Sequence, residues 1–234
     1  MKTLMTILCW FIPFKKLRRH LKVKYVKNKR IKYHNNNRVI IHMPNGDTVE
    51  NPYSIPGLNI SFNGRNSVIK LFFPISFHNC HLNVENNCVI TIHESHGINN
   101  MTIDTYNKSE VFIDKNVEIG GVRIHMSNET ETALHIGKNV VLSYDIEIYT
   151  TDTHPVFDMH GKCINNRKSC VEIGDHCWLC ASCVLLKGAQ IPNNCILGHS
   201  TVCASKLTEA NCIYAGNPAQ IVKHDINWSG GKID

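Results

Sequence analysis

No stretch of this 234-residue chain is long and apolar enough to cross a bilayer as a helix. The longest apolar run, Leu4 to Phe14, is too short and is broken by Thr6 and Pro13. No small-residue cleavage site follows it, so a secretory signal is not expected. Acidic residues are missing altogether from residues 1–32, which hold eleven of the 25 Lys and Arg. Charged residues reach only 19% against 43% hydrophobic, which argues against disorder and for one large domain, or one domain with an appendage. An even, closely spaced cysteine framework is absent too: the eleven cysteines are spread along the chain, and reduced thiols in a cytoplasm are expected.

The net charge of +6 conceals a segregation, because the chain beyond residue 32 carries 14 basic and 19 acidic residues. A basic arm therefore sits on a mildly acidic body. The arm, TILCWFIPFKKLRRHLKVKYVK, places apolar and aromatic residues first and cations second, as an interfacial anchor on an anionic inner leaflet does. A solubilising or subunit-packing arm fits equally. Nucleic acid is not expected as a partner of an acidic body.

The internal repeat sets the fold. Ile173, Leu179, Leu185, Ile191 and Leu197 recur every six residues, each followed four places later by a small residue: Cys177, Cys183, Ala189, Cys195 and Thr201. Upstream the register returns more loosely at Ile136, Leu142 and Ile148, at Ile113 and Ile119, and at Val84 and Ile90. A period of six is neither helical nor simple alternation. It fits one short strand and one tight turn per hexad, three hexads closing a triangular coil, and coils stacked at ~4.8 Å into a parallel β-helix. In that register Cys177, Cys180 and Cys183 do not form a metal cluster, since Cys177 and Cys183 are interior on different faces. Residues 39–59, with MPNGDT and NPYSIPG, read as a hairpin and turns entering the first coils. The polar stretch near 151–172 breaks the register and reads as a loop pushed out from the wall. The expected organisation is an arm over 1–38, a β-helix over 39–222 and a tail over 223–234.

The stretches IYTTDTHPVFD, VEIGDHCWLCASCVLLKGAQIPNNCILGHSTV and IYAGNPAQIVK resemble the hexapeptide-repeat acyltransferases. The resemblance is to the bacterial O-acetyltransferases of galactosides, maltose and cell-surface polysaccharides, including sialic-acid O-acetyltransferases, and covers about residues 136–223. It implies an all-β, left-handed parallel β-helix and a homotrimer with active sites between neighbouring chains. It also implies acetyl-CoA as donor and a carbohydrate acceptor, with no metal. The activity it implies is O-acetylation of a sugar hydroxyl in a capsule, lipopolysaccharide or sialic-acid-containing glycan, in a cytoplasmic protein that could touch the inner membrane peripherally.

Residue by residue, the T-x-T-H-P segment of that family places its catalytic base on His154. An imidazole suits the task, because a sugar hydroxyl is a poor nucleophile until a base takes its proton. In an extended segment Asp152 shares a face with His154 and could fix its tautomer, as a backbone carbonyl could. Trp178 matches the tryptophan beside the acetyl-pantetheine arm and is expected to point outward; Ala181 falls where some relatives offer a serine. Ala204, Ser205 and Lys206 correspond to a Thr-Lys segment near the CoA phosphates, with one extra residue before the lysine and Leu207 in place of the usual acid. Pro218, in AGNPAQIVK, and Lys223 match the segment that meets the nucleotide end of CoA. Arg123 and His125 lie near the acceptor side. An N-acetyltransferase on an amino sugar stays open within the same class. A zinc enzyme of the carbonic-anhydrase type would need three converging histidines, and a non-catalytic adaptor would not bind CoA.

Overall fold

The computed structural model describes residues 30–165 and 170–230. Most of the basic arm, and with it the expected membrane contact, lies outside the described residues.

The hexads do what their spacing dictates. Ile173 pairs with Ile136 and Ile191, Leu179 with Leu142 and Leu197, and Leu185 with Ile148 and Cys203, each set in its own parallel sheet. All nine are buried, as are the small residues Cys177, Cys183, Ala189, Cys195 and Thr201. Every regular element among the described residues is a strand, and the strands form sheets of eight, eight and seven, one strand per side per turn of a three-sided coil. The first sheet runs from the hairpin Arg38–His42 and Thr48–Glu50 to Gln190–Ile191, the second from Ile75–His78 to Gln220–Lys223, and the third from Leu58–Phe62 to Val202–Cys203. A single coil cannot bury its own aliphatic residues. Stacking on its neighbours does so, at about 1.5–3 kcal/mol for each large side chain removed from water.

The lower coils follow the same plan with longer sides. Residues in register lie 18 apart between Asp175 and Asn193, but 21 apart between Asn66 and Asn87 and 23 apart between Asn116 and Asn139. Most strands there run four or five residues with alternating burial, as in Val68–Phe72 and Glu110–Ile113. Turning the corners requires left-handed backbone, which asparagine tolerates better than most residues. Asn66, Asn79, Asn87, Asn100, Asn116 and Asn139 all have φ between 48° and 58°. Their amides join from coil to coil, as in Asn79 Nδ2 to Asn100 Oδ1 at 2.9 Å.

The expected entry hairpin is present, with Ile40 opposite Glu50 and Gly46 at φ 86° in its turn. Its first strand also pairs in parallel with Val68–Phe72, so it already belongs to the stack. The loop expected near 151–172 ends earlier, because Cys170–Ile173 is a strand of the first sheet beside Ala133–Ile136. Its described part, 150–165, folds on itself: Phe157 bridges Cys163, and Asp158 Oδ1 accepts the backbone N–H groups of His160 and Lys162.

Candidate active site

The loop leaves the coil at the corner where the third sheet passes to the first, between Ile146–Tyr149 and Cys170–Ile173. Three successive coils meet there. Residues 126–132 form the corner of the coil before, the loop forms the next, and 186–189 form the one after, with Gly188 at φ 83° making the tight turn. A cavity of 390 Å³ opens between the first two of these, lined among others by Glu129, Thr151, Asp152, His154, Cys163 and Asn165.

His154 is exposed at this cavity, and no hydrogen bond engages its ring among the described residues. Its backbone is held instead: the His154 N–H donates to Asp152 O at 2.6 Å, and Asn165 Nδ2 donates to His154 O at 2.9 Å. The segment is not extended as its sequence suggested. Thr153 has φ 66°, and its N–H donates to Thr151 Oγ1, so the alternation that would put Asp152 and His154 on one face is lost. The Asp152 carboxylate turns to Lys187 Nζ at 3.4 Å and to Asn165 Nδ2 at 3.1 Å.

Lys187 is the residue the sequence did not single out. Its side chain is 9% exposed, and its ammonium meets Glu129 Oε1 at 2.5 Å and donates to Asn165 O at 2.9 Å. In LLKGAQ it reads as an ordinary outward cation of the repeat. Only the stacking of three corners gives it two carboxylates.

The residues matched to CoA binding are spread around the prism. Ala204 and Ser205 lie exposed at the His154 corner, two coils further on, after Val202–Cys203. That corner is short: Cys203 is interior, Leu207 is again buried, and Lys206 bridges Gln190 of the first sheet. Leu207, standing where relatives carry an acid, is thus an interior residue, and its N–H donates to Gln190 O. Lys206 faces a groove of 830 Å³ along the first sheet, shared with Phe112, His135 and Glu172. Trp178 belongs to the second sheet, Ala181 to the corner between the second and third, and Lys223 to the last strand of the second sheet, while the turn that holds Pro218 bonds through Gly216 O and Ala219 N–H to Val202 of the third sheet, two residues before Ala204. Within one chain Pro218 lies near Ala204, whereas Trp178 and Lys223 stay on the second sheet.

Trp178 does not stand bare. Its Nε1–H donates to Ser143 Oγ at 3.2 Å, and Trp228 of the tail packs against it with ring centres 5.9 Å apart. Trp228 also stacks on His176, a residue to which the sequence gave no role, and donates to the His176 carbonyl. On the acceptor side, Arg123 is exposed on the third sheet beside Glu147. His125 Nε2 meets Glu147 Oε2 at 2.7 Å and its ring stacks on Tyr149.

Burial pushes the Cys177 thiol up to about 12 and the Cys183 thiol to about 11, and raises Cys180 as well. At neutral pH these thiols keep their protons, which suits packing and not nucleophilic attack. Two groups of possible metal ligands assemble among the described residues, His135 with Cys170 and Glu172, and Glu209 with Cys212 and His224. Neither holds more than one histidine, and neither includes His154.

No family model matches the chain. It is 28% identical over 94 residues to a polysialic acid O-acetyltransferase of Escherichia coli O1:K1 / APEC, a match covering 40% of this chain and 30% of that protein. It is 32% identical over 96 residues to the polysialic acid O-acetyltransferase of Neisseria meningitidis, covering 41% and 44%. These matches span less than half the length of either relative. The fold is similar over far more of the chain to the crystallographic structure of the polysialic acid O-acetyltransferase OatWY, with a TM-score of 0.61, 25% identity, and 85% of this chain and 90% of that one covered. In part of its sequence, and in its fold over most of its length, the chain is similar to polysialic acid O-acetyltransferases.

Proposed function

We propose that this chain is an acetyl-CoA-dependent O-acetyltransferase of a bacterial surface glycan, with the sialic-acid polymer named for its relatives as the first acceptor to test. The observation that carries the reading is the exposed His154 imidazole at a cavity, on a loop whose backbone is held on both sides. The cavity is lined by carboxylates, amide and hydroxyl groups, which are hydrogen-bonding partners for sugar hydroxyls.

A neutral imidazole nitrogen of His154 takes the proton of the acceptor hydroxyl as its oxygen attacks the thioester carbonyl carbon. The tetrahedral adduct collapses, the carbon–sulfur bond breaks, and the proton returns from the imidazolium to the departing thiolate. The products are the sugar O-acetyl ester and CoA thiol, and the imidazole is again neutral. The protonated state of Cys177 and Cys183 favours this direct transfer over an acyl-enzyme on either.

Ala204 and Ser205 share the His154 edge, whereas Trp178 and Lys223 lie on the second sheet. A site using both groups joins the edge of one chain to the side of the next, which is the arrangement a homotrimer provides. In this reading the basic arm, residues 1–32, holds the enzyme at the anionic inner surface where such glycans are assembled.

The test is thiol release from acetyl-CoA by the purified protein, with and without polysialic acid, for wild type and His154→Ala. Acceptor-dependent release that falls by about 10²–10⁴-fold in the variant, with CoA binding retained, is the expected result. Wild-type turnover in His154→Ala would remove the histidine from the mechanism. A wild-type protein that binds no CoA would overturn the activity.

A further inference from the structure

We propose that Lys187 is the positioning residue of the His154 loop, acting from the next coil on the backbone that aims the imidazole. This rests on the transferase reading for its kinetic consequence, though not for the anchoring itself.

The ammonium collects three partners from three chain segments: Glu129 on the preceding corner, Asp152 at the start of the loop, and the Asn165 carbonyl near the end of its described part. Asn165 completes the circuit, since its side-chain amide donates both to Asp152 Oδ2 and to the His154 carbonyl. Its Oδ1 accepts from the Val156 N–H at 2.8 Å, which fixes the residue after Pro155. Both arms of the loop are therefore tied to one cation, and the tie reaches the peptide groups on either side of His154.

A side chain as buried as Lys187 keeps a charge only where opposite charges and hydrogen bonds offset its lost hydration, and here two carboxylates and a carbonyl do so. Without the cation, Glu129 and Asp152 would line the same cavity as like charges with no counter-ion among the residues described there. The loop would lose its attachment to the coil and gain a repulsion, while the β-helix beneath, held by its aliphatic interior, would be unaffected. A base displaced by about 1 Å can cost as much as 10²-fold in rate, so the consequence falls on turnover.

The experiment compares full-length wild type, Lys187→Met and Lys187→Arg by steady-state kinetics, CoA binding and hydrogen–deuterium exchange of peptides from 150–165. Lys187→Met is expected to lose about 10- to 100-fold in kcat, with CoA affinity within about twofold, the acceptor KM little changed, and exchange in 150–165 accelerated. Lys187→Arg, which keeps the charge and donors, should recover most of the rate and protection. Wild-type kcat in Lys187→Met overturns the proposal. So does an equal loss in both variants together with lost CoA binding, because that would mark general unfolding. If wild type itself proves inactive with every acceptor, the transferase reading fails and exchange alone decides: unchanged protection of 150–165 in Lys187→Met sinks the anchoring role, and faster exchange upholds it.

Discussion

The indole of Trp228 stacks on the imidazole of His176 with ring centres 4.6 Å apart and planes 7° from parallel. The pair brings the tail back across the second sheet, where the indole also shields Trp178. The tail is thus part of the wall that the CoA-matching tryptophan occupies. Trp228→Ala should destabilise the chain by about 1 kcal/mol through the lost stack and shift Trp178 emission to the red as water reaches it. An unshifted spectrum in the variant would show that the tail does not cover Trp178 in solution.

Asp152 contacts Lys187 and Asn165 and not the His154 ring. Asp152→Asn keeps an acceptor oxygen for Lys187 and should therefore lower kcat by about tenfold or less, well short of the ~10⁴ that a tautomer-holding carboxylate is worth. A loss of several thousandfold, measured in the thiol-release assay, would return Asp152 to the orienting role its sequence position suggested.

Leu185 sits at 0% exposure between Ile148 and Cys203 in the third sheet. Truncating it leaves a void that two neighbouring coils share, and Leu185→Ala should cost about 2–5 kcal/mol in urea denaturation. A change below about 1 kcal/mol would mean that the coils collapse onto the gap.

Stability should decline in alkali. Below pH 9, the ordinary value for a thiol, Cys177 holds its proton folded or unfolded and adds no pH dependence. From pH 9 to about 12 the unfolded chain releases that proton while the folded chain retains it, so each rise in pH favours unfolding. Cys183, raised to about 11, acts in the same direction over a narrower window. Denaturant midpoints at pH 8 and pH 10.5 should differ in wild type and differ less in Cys177→Ala. Equal differences in the two proteins would show that other groups carry the alkaline loss.

The six-residue period from Ile173 to Leu197 encoded the β-helix because each coil repeats the same local contact one turn later, so a linear spacing becomes a lateral neighbour. The break after Ile148 located the loop and, with the T-x-T-H-P resemblance, His154. The lower coils were faint for a physical reason: strands of four or five residues add alternation of period two to the corner spacing, and coils of 21 to 23 residues no longer fall on multiples of six. The asparagines that turn those corners are placed there by left-handed φ values, which the six-residue period does not reveal.

The sequence by itself thus determined the scaffold, its interior and the place where the wall is interrupted, all of which depend on residues repeating at fixed offsets. Only the tertiary structure decided what surrounds the histidine. Glu129 and Lys187 are 58 residues apart and meet because coils stack. Thr153 turns Asp152 away from His154 through a single left-handed φ that no pattern announces. Trp228 reaches Trp178 through a tail outside the repeat. Such contacts depend on loop path and side-chain reach, which periodicity does not carry.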